Sequence, residues 1–239
     1  DPTIGEALLG EMSDTARVLF PVDANSTVAA LHSVYQGRGQ VACLIVSKRD
    51  MPHRLDGEAA LQVVEAGAAH IEGSAADADV QLVAIGAYQL EEALKAARRL
   101  ADAGVRPLVT VLIEPGRFRA PRDPIERSFT ASDAELAAIF PPNMPRVIVS
   151  HTRPEPMLGL LRRLDGGPAR TVAHGYISRG GTLDVAGMLF ANRSTWAHVT
   201  ESAARLLNRS RNEFLSPAEC AAVDGRGDPH DLITPPPAN

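Results

Sequence analysis

Of the 24 basic residues in this chain only Lys48 and Lys95 are lysine, and the rest are arginine. Where positive charge is written almost always as arginine, a lysine can mark a place that needs a compact point charge. Lys95 lies four residues after Glu91, a helical ion-pair spacing that explains it without chemistry. Lys48 is different. It follows the apolar run Val41 to Val46 and Ser47, so its ammonium falls just past a strand's carboxyl end, where open parallel sheets bind their ligands. The ordinary alternatives are a surface lysine or a pair with Asp50. His151 and His174 also follow apolar runs, and a histidine there can contact a ligand or shuttle a proton. Neither has a carboxylate or nucleophile at an evident spacing, so each reads more simply as satisfying a turn carbonyl. His53 and His70 belong to no constellation. Arg117, Arg119, Arg122 and Arg127 crowd a proline-rich loop that could bind an anion or lie on a subunit interface, with a solvated loop as the plain reading.

The elements that must carry Lys48 begin with Val18 to Phe20, an apolar run stopped at Pro21, which has no N–H to extend a ladder. Asp23 and Asn25 read as helix-start residues. Asn25, Ser26 or Thr27 can cap a helix whose Val28, Leu31, Val34 and Tyr35 point inward. Gly37 and Gly39 end that helix. Val41 to Val46, apolar without alternation, reads as a parallel strand covered on both faces. Ahead of these, Ile4, Ala7, Leu8 and Met12 form a weak stripe, read as a frayed leading helix.

After the polar segment 49–55, Asp56 can cap a helix with Leu61, Val64, Ala68 and Ile71 on one face. Strand and helix then alternate, the pattern of a mostly parallel sheet with helices on both faces. Val80 to Ile85, Pro107 to Ile113, Val147 to Val149 and Thr171 to Ala173 are the strands. Leu90 to Leu100, Asp133 to Phe140, Met157 to Leu164 and Trp196 to Leu207 are the helices. Beyond about residue 209 the composition turns to Arg, Ser, Asp, Gly and Pro, which reads as a flexible tail with one short helix near Ser216-Pro217.

Composition narrows the classes. A chain of 239 residues suits one large domain, or one domain and a fragment of another. Aromatics are 4% against 45% hydrophobic, so the core must be built from Ala, Val, Leu and Ile. A net charge of −5, mixed along the chain, argues against a nucleic-acid backbone as main partner. Cys43 and Cys220 are too few for a disulfide framework and have no neighbours at metal-ligand spacing. With no apolar run near the length of a membrane span and no charged-then-apolar leader, the expectation is a soluble cytoplasmic protein. There is no phosphate-binding loop, no G-x-G-x-x-G opening a helix, no H-E-x-x-H and no G-x-S-x-G. Asp224-Gly225-Arg226-Gly227-Asp228 reads as a glycine-rich coil rather than an adhesion motif.

Phe20-Pro21-Val22-Asp23-Ala24-Asn25, with a strand ending Val46-Ser47-Lys48, resembles the last unit of the pyrimidine-binding domain of transketolase-type thiamine diphosphate enzymes, and within them phosphoketolase. Asp1-Pro2 and Ile4 resemble the close of that family's His-Gln-Asp-Pro segment. His174-Gly175-Tyr176, Gly181-Thr182, Met188 and Asn192 are similar to its closing segment, although Leu183-Asp184-Val185-Ala186-Gly187 replaces its threonine-rich turn. The resemblance implies that residues 1–55 end a pyrimidine-type α/β domain, that 56–208 form a transketolase carboxyl-terminal-type domain, and that 209–239 are a tail. It implies a homodimeric parent enzyme that uses thiamine diphosphate and Mg2+ to cleave a ketose phosphate with inorganic phosphate. Lys48 would help hold the substrate's phosphate. The cofactor's diphosphate site and activating glutamate would lie in the remainder of the enzyme, so this chain alone would bind no cofactor and be inactive. A subunit of a split transketolase-like enzyme, or a non-catalytic interaction domain, are the alternatives.

Overall fold

In a computed structural model, which describes residues 3–177, 181 and 183–233, the chain begins α1 (Thr3–Gly10), β1 (Ala16–Leu19), α2 (Ala24–Gln36), β2 (Val41–Leu44). It continues α3 (Gly57–Ala66), β3 (Ala68–Glu72), β4 (Val80–Ile85), α4 (Ala87–Asp102), β5 (Pro107–Leu112), α5 (Pro124–Arg127), α6 (Asp133–Ile139) and β6 (Arg146–Ser150). It closes with α7 (Pro154–Leu160), β7 (Thr171–His174), α8 (Val185–Ala191), α9 (Trp196–Leu206), α10 (Pro217–Val223) and α11 (His230–Ile233). Strands β4 to β7 are mutually parallel and β3 adds antiparallel to β5, giving the order β3-β5-β4-β6-β7. Period-two alternation divides the core between the two faces. Leu82, Ala84, Val109, Val111, Val147 and Val149 meet Leu90, Ala97, Val199 and Ala203 of α4 and α9. Val83, Ile85, Leu112 and Ile148 meet Met157 and Leu160 of α7 with Phe118 and Phe140. The mostly parallel sheet with helices on both faces is thus as expected.

The first forty-odd residues depart from expectation. β1 and β2 form a separate parallel pair, joined to the larger sheet where Phe20 N–H donates to the carbonyl of Ile113 at 2.8 Å. β2 is not covered on both faces: Val41 is 57% exposed and the other strand residues are half-buried. Helix α2 is turned from its expected face. Ser26, Ala29 and Ala30 are buried, while Val28, Leu31 and Tyr35 are exposed, Tyr35 at 84%. Small residues let α2 sit close to α3, and the larger apolar side chains are left pointing outward. The leading helix is anchored rather than frayed: Glu6 pairs with Arg153 at 2.9 Å and accepts its backbone N–H. Ile4 nevertheless faces outward, and Leu8 and Leu9 pack instead. One hydrophobic cluster runs from Leu19, Val22 and Ala30 through Leu55 and Val64 into the central sheet.

Three further expectations change. Ala68 and Ile71 belong to β3, because Gly67 takes a left-handed conformation (φ 82) and ends α3 one residue earlier. Leu61 is exposed, and Ala60, Val63 and Val64 are the buried face. Lys95 pairs with Glu92 at 2.7 Å, not with Glu91, which instead grips Arg54 through two hydrogen bonds. The arginine loop is neither solvated nor open to an anion at its centre. Glu126 is fully buried and accepts from the backbone N–H of Ser13 and of Arg122, and from the Arg122 guanidinium. Arg119 and Arg122 also donate to the last carbonyls around α1, those of Leu9, Gly10 and Glu11.

Nor do residues 209–233 behave as a flexible tail. Phe214, Leu215, Cys220, Val223 and Leu232 are buried against α4 and α9. Trp196 Nε1 donates to the carbonyl of Leu232, and Arg99 stacks on Trp196 and pairs with Glu219. Asp224, from the Arg-Gly-Asp stretch, is held by Arg211 and Arg226. Polar composition concealed an apolar residue every few positions, enough to dock each short helix.

Two outcomes test these packing arguments. Phe214→Ala should cost about 3 kcal/mol in urea unfolding if the segment is packed core, and close to nothing if it is a loose tail. Burial opposes the charge on Glu126, but the Arg122 hydrogen bonds and the two backbone N–H groups outweigh it and hold the carboxyl at about 2, below its ordinary 4.5. Its folded value is depressed, so its contribution is present above about pH 4.5 and is lost as pH falls through 2. Glu126→Gln should therefore lower stability at neutral pH by about 3 kcal/mol and flatten the acid limb of the stability profile between those two values.

Candidate functional site

Because β5 lies on one side of β4 and β6 on the other, the strand order reverses between β4 and β6. At such a switch point the connections leave in opposite directions and open a crevice at the carboxyl ends of the two strands. A cavity of about 530 Å³ occupies this place. Tyr88 and Gln89 enter it after β4, Ser150 at the end of β6, His151 just beyond it and Tyr176 after β7, while α8 contributes Met188 and Leu189. Ile45, Val46, Lys48 and Arg49 enter from the loop that follows β2. The cavity is thus walled by both the first segment and the central sheet.

Local backbone shape sets its floor and its far wall. Gly86 has φ 117, a conformation that L side chains rarely adopt, and a Cβ there would lie 2.4 Å from Oε1 of Gln89. This turn delivers the 16-residue helix α4 with its amino end toward the cavity, and no side chain caps its first turn. At the end of β7, a Cβ on Gly175 would lie 2.2 Å from the carbonyl oxygen of Thr152, which also accepts the Tyr176 N–H at 3.0 Å. Only glycine permits that approach. Asn192 accepts the N–H of Ile177 at 2.7 Å and ties this loop to the end of α8. Ser150 and Thr152, both buried, bond to each other at 2.9 Å. Tyr88 donates or accepts at Ser47 Oγ over 2.9 Å, joining the Lys48 loop to α4.

The structure brings Lys48 and His151 together and separates them from His174. Lys48 is exposed at the cavity and has no ion-pair or hydrogen-bond partner among the described residues, Asp50 included. Burial pushes His151 below its ordinary range, so its imidazole is neutral near pH 7. His174 lies in a different hollow with Arg193, Arg205 and Arg211, where Nε2 meets Ser202 Oγ at 2.8 Å and burial lowers it to about 4. His70 bonds the carbonyl of Ile139, and His53 is exposed. Asp23 and Asn25 are bound elsewhere: Asp23 caps α2 at Ser26 N and accepts from Arg54 N and Leu55 N, and Asn25 donates to the Leu55 carbonyl. Arg117 lines a larger cavity, of about 810 Å³, in which Arg17 and Glu114 neutralise one another through two 2.8 Å bonds. Tyr88 and Gln89 are among the cavity residues that sequence reasoning missed, with Ser150, Leu189 and Ser194. The signal for Tyr88 and Gln89 was a strand running into Gly86 and a helix that starts without a Ser, Thr, Asp or Asn.

Among the described residues no group of three or more His, Cys, Asp or Glu side chains could hold a metal. Among the described residues Asp184 is the one carboxylate at the switch-point cavity, and its Oδ1 is engaged by the Gly187 N–H at 2.7 Å as the cap of α8. A magnesium–diphosphate group does not fit this donor set. No helix among the described residues is long and apolar enough to cross a membrane.

No protein-family model and no curated protein matches this chain. Solved structures do. A transketolase from Leishmania mexicana aligns with 90% of the chain at a TM-score of 0.65 and 17% identity, over 28% of its own length. A transketolase from Pichia stipitis, in complex with sedoheptulose 7-phosphate, aligns with 81% at a TM-score of 0.61 and 18% identity, over 25% of its length. A split-gene transketolase, described as an inactive β4 tetramer, aligns with 81% at a TM-score of 0.56 and 18% identity, over 58% of its length. The chain therefore spans about a quarter of the full-length transketolases it resembles. Its architecture is the mostly parallel α/β fold of the transketolase carboxyl-terminal region.

Proposed function

We propose that this chain is the carboxyl-terminal portion of a phosphoketolase-like enzyme, one that cleaves ketose phosphates with inorganic phosphate to acetyl phosphate and an aldose phosphate. Residues 1–55 close a pyrimidine-type domain and 56–208 form the carboxyl-terminal domain, which helps to complete a homodimer. Thiamine diphosphate and Mg2+ belong to the rest of the enzyme, where they supply a stabilised carbanion. The role of this chain is to bind and orient, with Lys48 as a contact for the substrate's phosphate.

The observation that carries this reading is an unpaired ammonium at the mouth of a cavity built on the switch point. A lysine meets a phosphate oxygen as a point charge, and no internal carboxylate competes for this one among the described residues. Assembly is supported by a different feature. Parallel strands are ordinarily buried on both faces, yet β1 and β2 stand as a pair with Val28, Leu31, Tyr35, Val41 and Val46 exposed beside them. Such a layer fits one that is covered by further protein. The same layer favours the second reading, a subunit of a split transketolase-like enzyme, since it would serve a separate partner chain equally well.

In the assembled enzyme Lys48→Ala should raise KM for the sugar phosphate about 10- to 100-fold with a smaller change in kcat, and Lys48→Arg should recover only part of the loss. Unchanged kinetics in Lys48→Ala would remove this residue from the site. On the open layer, Leu31→Glu should abolish co-purification with the cofactor-bearing part while leaving the thermal midpoint of this chain within a few degrees. A partner encoded as a separate chain would identify the split enzyme. Assembly that survives the charge would show that the layer is not the interface.

A further inference from the structure

We propose that the floor of the switch-point cavity is a binding site for a phosphate group accompanied by an O–H donor, seated on the amino end of α4 and donating to Oε1 of Gln89. The site stands on α4 and Gln89, whatever Lys48 holds, and so goes beyond the role given to Lys48.

Two independent observations meet here. The first turn of α4 presents the N–H groups of Ala87, Tyr88 and Gln89, and no side chain caps them. The amino end of a helix this long carries partial positive charge and is suited to an anion. Gln89 is the second observation. It is 6% exposed, lines the cavity, and folds back so that Oε1 lies over Gly86 at the mouth of the helix. That oxygen is buried and has no hydrogen-bond partner among the described residues. Turning the amide over would place an NH₂ against the helix N–H groups, which the helix field disfavours.

A buried acceptor beside a cluster of donors restricts what can bind. A fully deprotonated oxyanion would accept from the helix but confront Gln89 Oε1 with another acceptor. Hydrogen phosphate carries both parts, oxygens to accept and a P–O–H to donate. A phosphate monoester with a hydroxyl close by carries the same pair. Cavity charge agrees: Lys48 and Arg49 border it, and Asp184 is committed to the α8 cap. His151, kept neutral by burial, offers either a donor or an acceptor at the same wall.

Sulfate provides the test, because it matches phosphate in shape and size but has no proton to donate near neutral pH. Calorimetric titration of the full protein should give phosphate at least about tenfold tighter binding than sulfate, the cost of leaving a buried acceptor unpaired. Gln89→Met, which keeps the length and removes the acceptor, should bind the two anions alike. Lys48→Ala should weaken both without erasing the preference. Glycerol 1-phosphate separates the sources: binding tighter than inorganic phosphate assigns the site to a hydroxylated ester, and weaker binding assigns it to the free ion. In case Gln89→Met fails to fold, phosphate titration of the unaltered protein should shift the amide resonances of Ala87, Tyr88 and Gln89 first. Equal affinity for phosphate and sulfate, a preference that survives Gln89→Met, or shifts confined to the Lys48 loop would each overturn the proposal.

Discussion

One buried carboxylate ties the start of α2 to the far end of the loop that leads from the β1–β2 pair toward the central sheet. Oδ1 of Asp23 caps α2 through Ser26, and Oδ2 accepts the consecutive N–H groups of Arg54 and Leu55. Burial alone would raise its pKa, but the hydrogen bonds from Ser26, Leu55 and Arg54 bring it below the ordinary carboxylate range, so it serves as an ion. The consequence is geometric. The loop from Ser47 to Leu55, which carries Lys48, is fixed by Asp23 at its far end and by the Ser47–Tyr88 contact at its near end. Arg54 adds a two-bonded grip on Glu91 of α4. Without these attachments the ammonium would have no defined position relative to the central sheet.

The two ends of that sheet are treated differently. At the amino ends the buried Arg146 satisfies itself on Gln81 and the carbonyls of Leu164 and Pro141, while Gln81 also reaches Thr110 and Ile139. No carboxylate shares that site, and burial lowers the arginine to about 10, which still leaves it charged at neutral pH. It works as a closed set of hydrogen bonds. At the carboxyl ends, in contrast, an uncapped helix, an unpartnered amide oxygen and an unpaired ammonium border the same cavity. Polar groups are left unmet at one end, beside a met network at the other, and the proposed site rests on that contrast, although Asp14 Oδ1 and Arg117 Nε are buried and unmet elsewhere.

Much of the architecture was legible because buried parallel strands have a plain signature. Val80 to Ile85 and Pro107 to Ile113 are apolar but for Gln81 and Thr110, and the α4 stripe from Leu90 to Leu100 is buried as its spacing implies. The errors share a cause. Val28, Leu31, Val34 and Tyr35 gave a convincing apolar face, but periodicity identifies an apolar face without saying whether this chain covers it. β3 was lost because Ala-Ala-His-Ile continues a helical stripe as well as it alternates, and only the backbone at Gly67 decides. The docked segment after residue 209 was lost because composition averages over positions, while packing needs only Phe214, Leu215, Cys220, Val223 and Leu232 at the right ones. At the cavity, Lys48 was singled out by residue type and strand end, and the structure places it on the lining. Gln89 was invisible, because an unsatisfied acceptor is a property of geometry and leaves no trace in spacing.

The same contrast between met and unmet groups separates what this chain does alone from what it presents to others. Its second core, its docked carboxyl-terminal segment and its Glu126 clamp are internally complete. The β1–β2 layer is not, for it carries exposed aliphatic and aromatic side chains, of which Val46 adjoins the loop that carries Lys48. On the reading proposed above, further protein over the Val46 end of that layer would reduce the water around the Lys48 loop, and the pull of its ammonium on a phosphate would strengthen as the local dielectric falls. On that reading, assembly and phosphate affinity would be coupled. A cation exposed in the chain by itself would become a strong contact only in such an assembly.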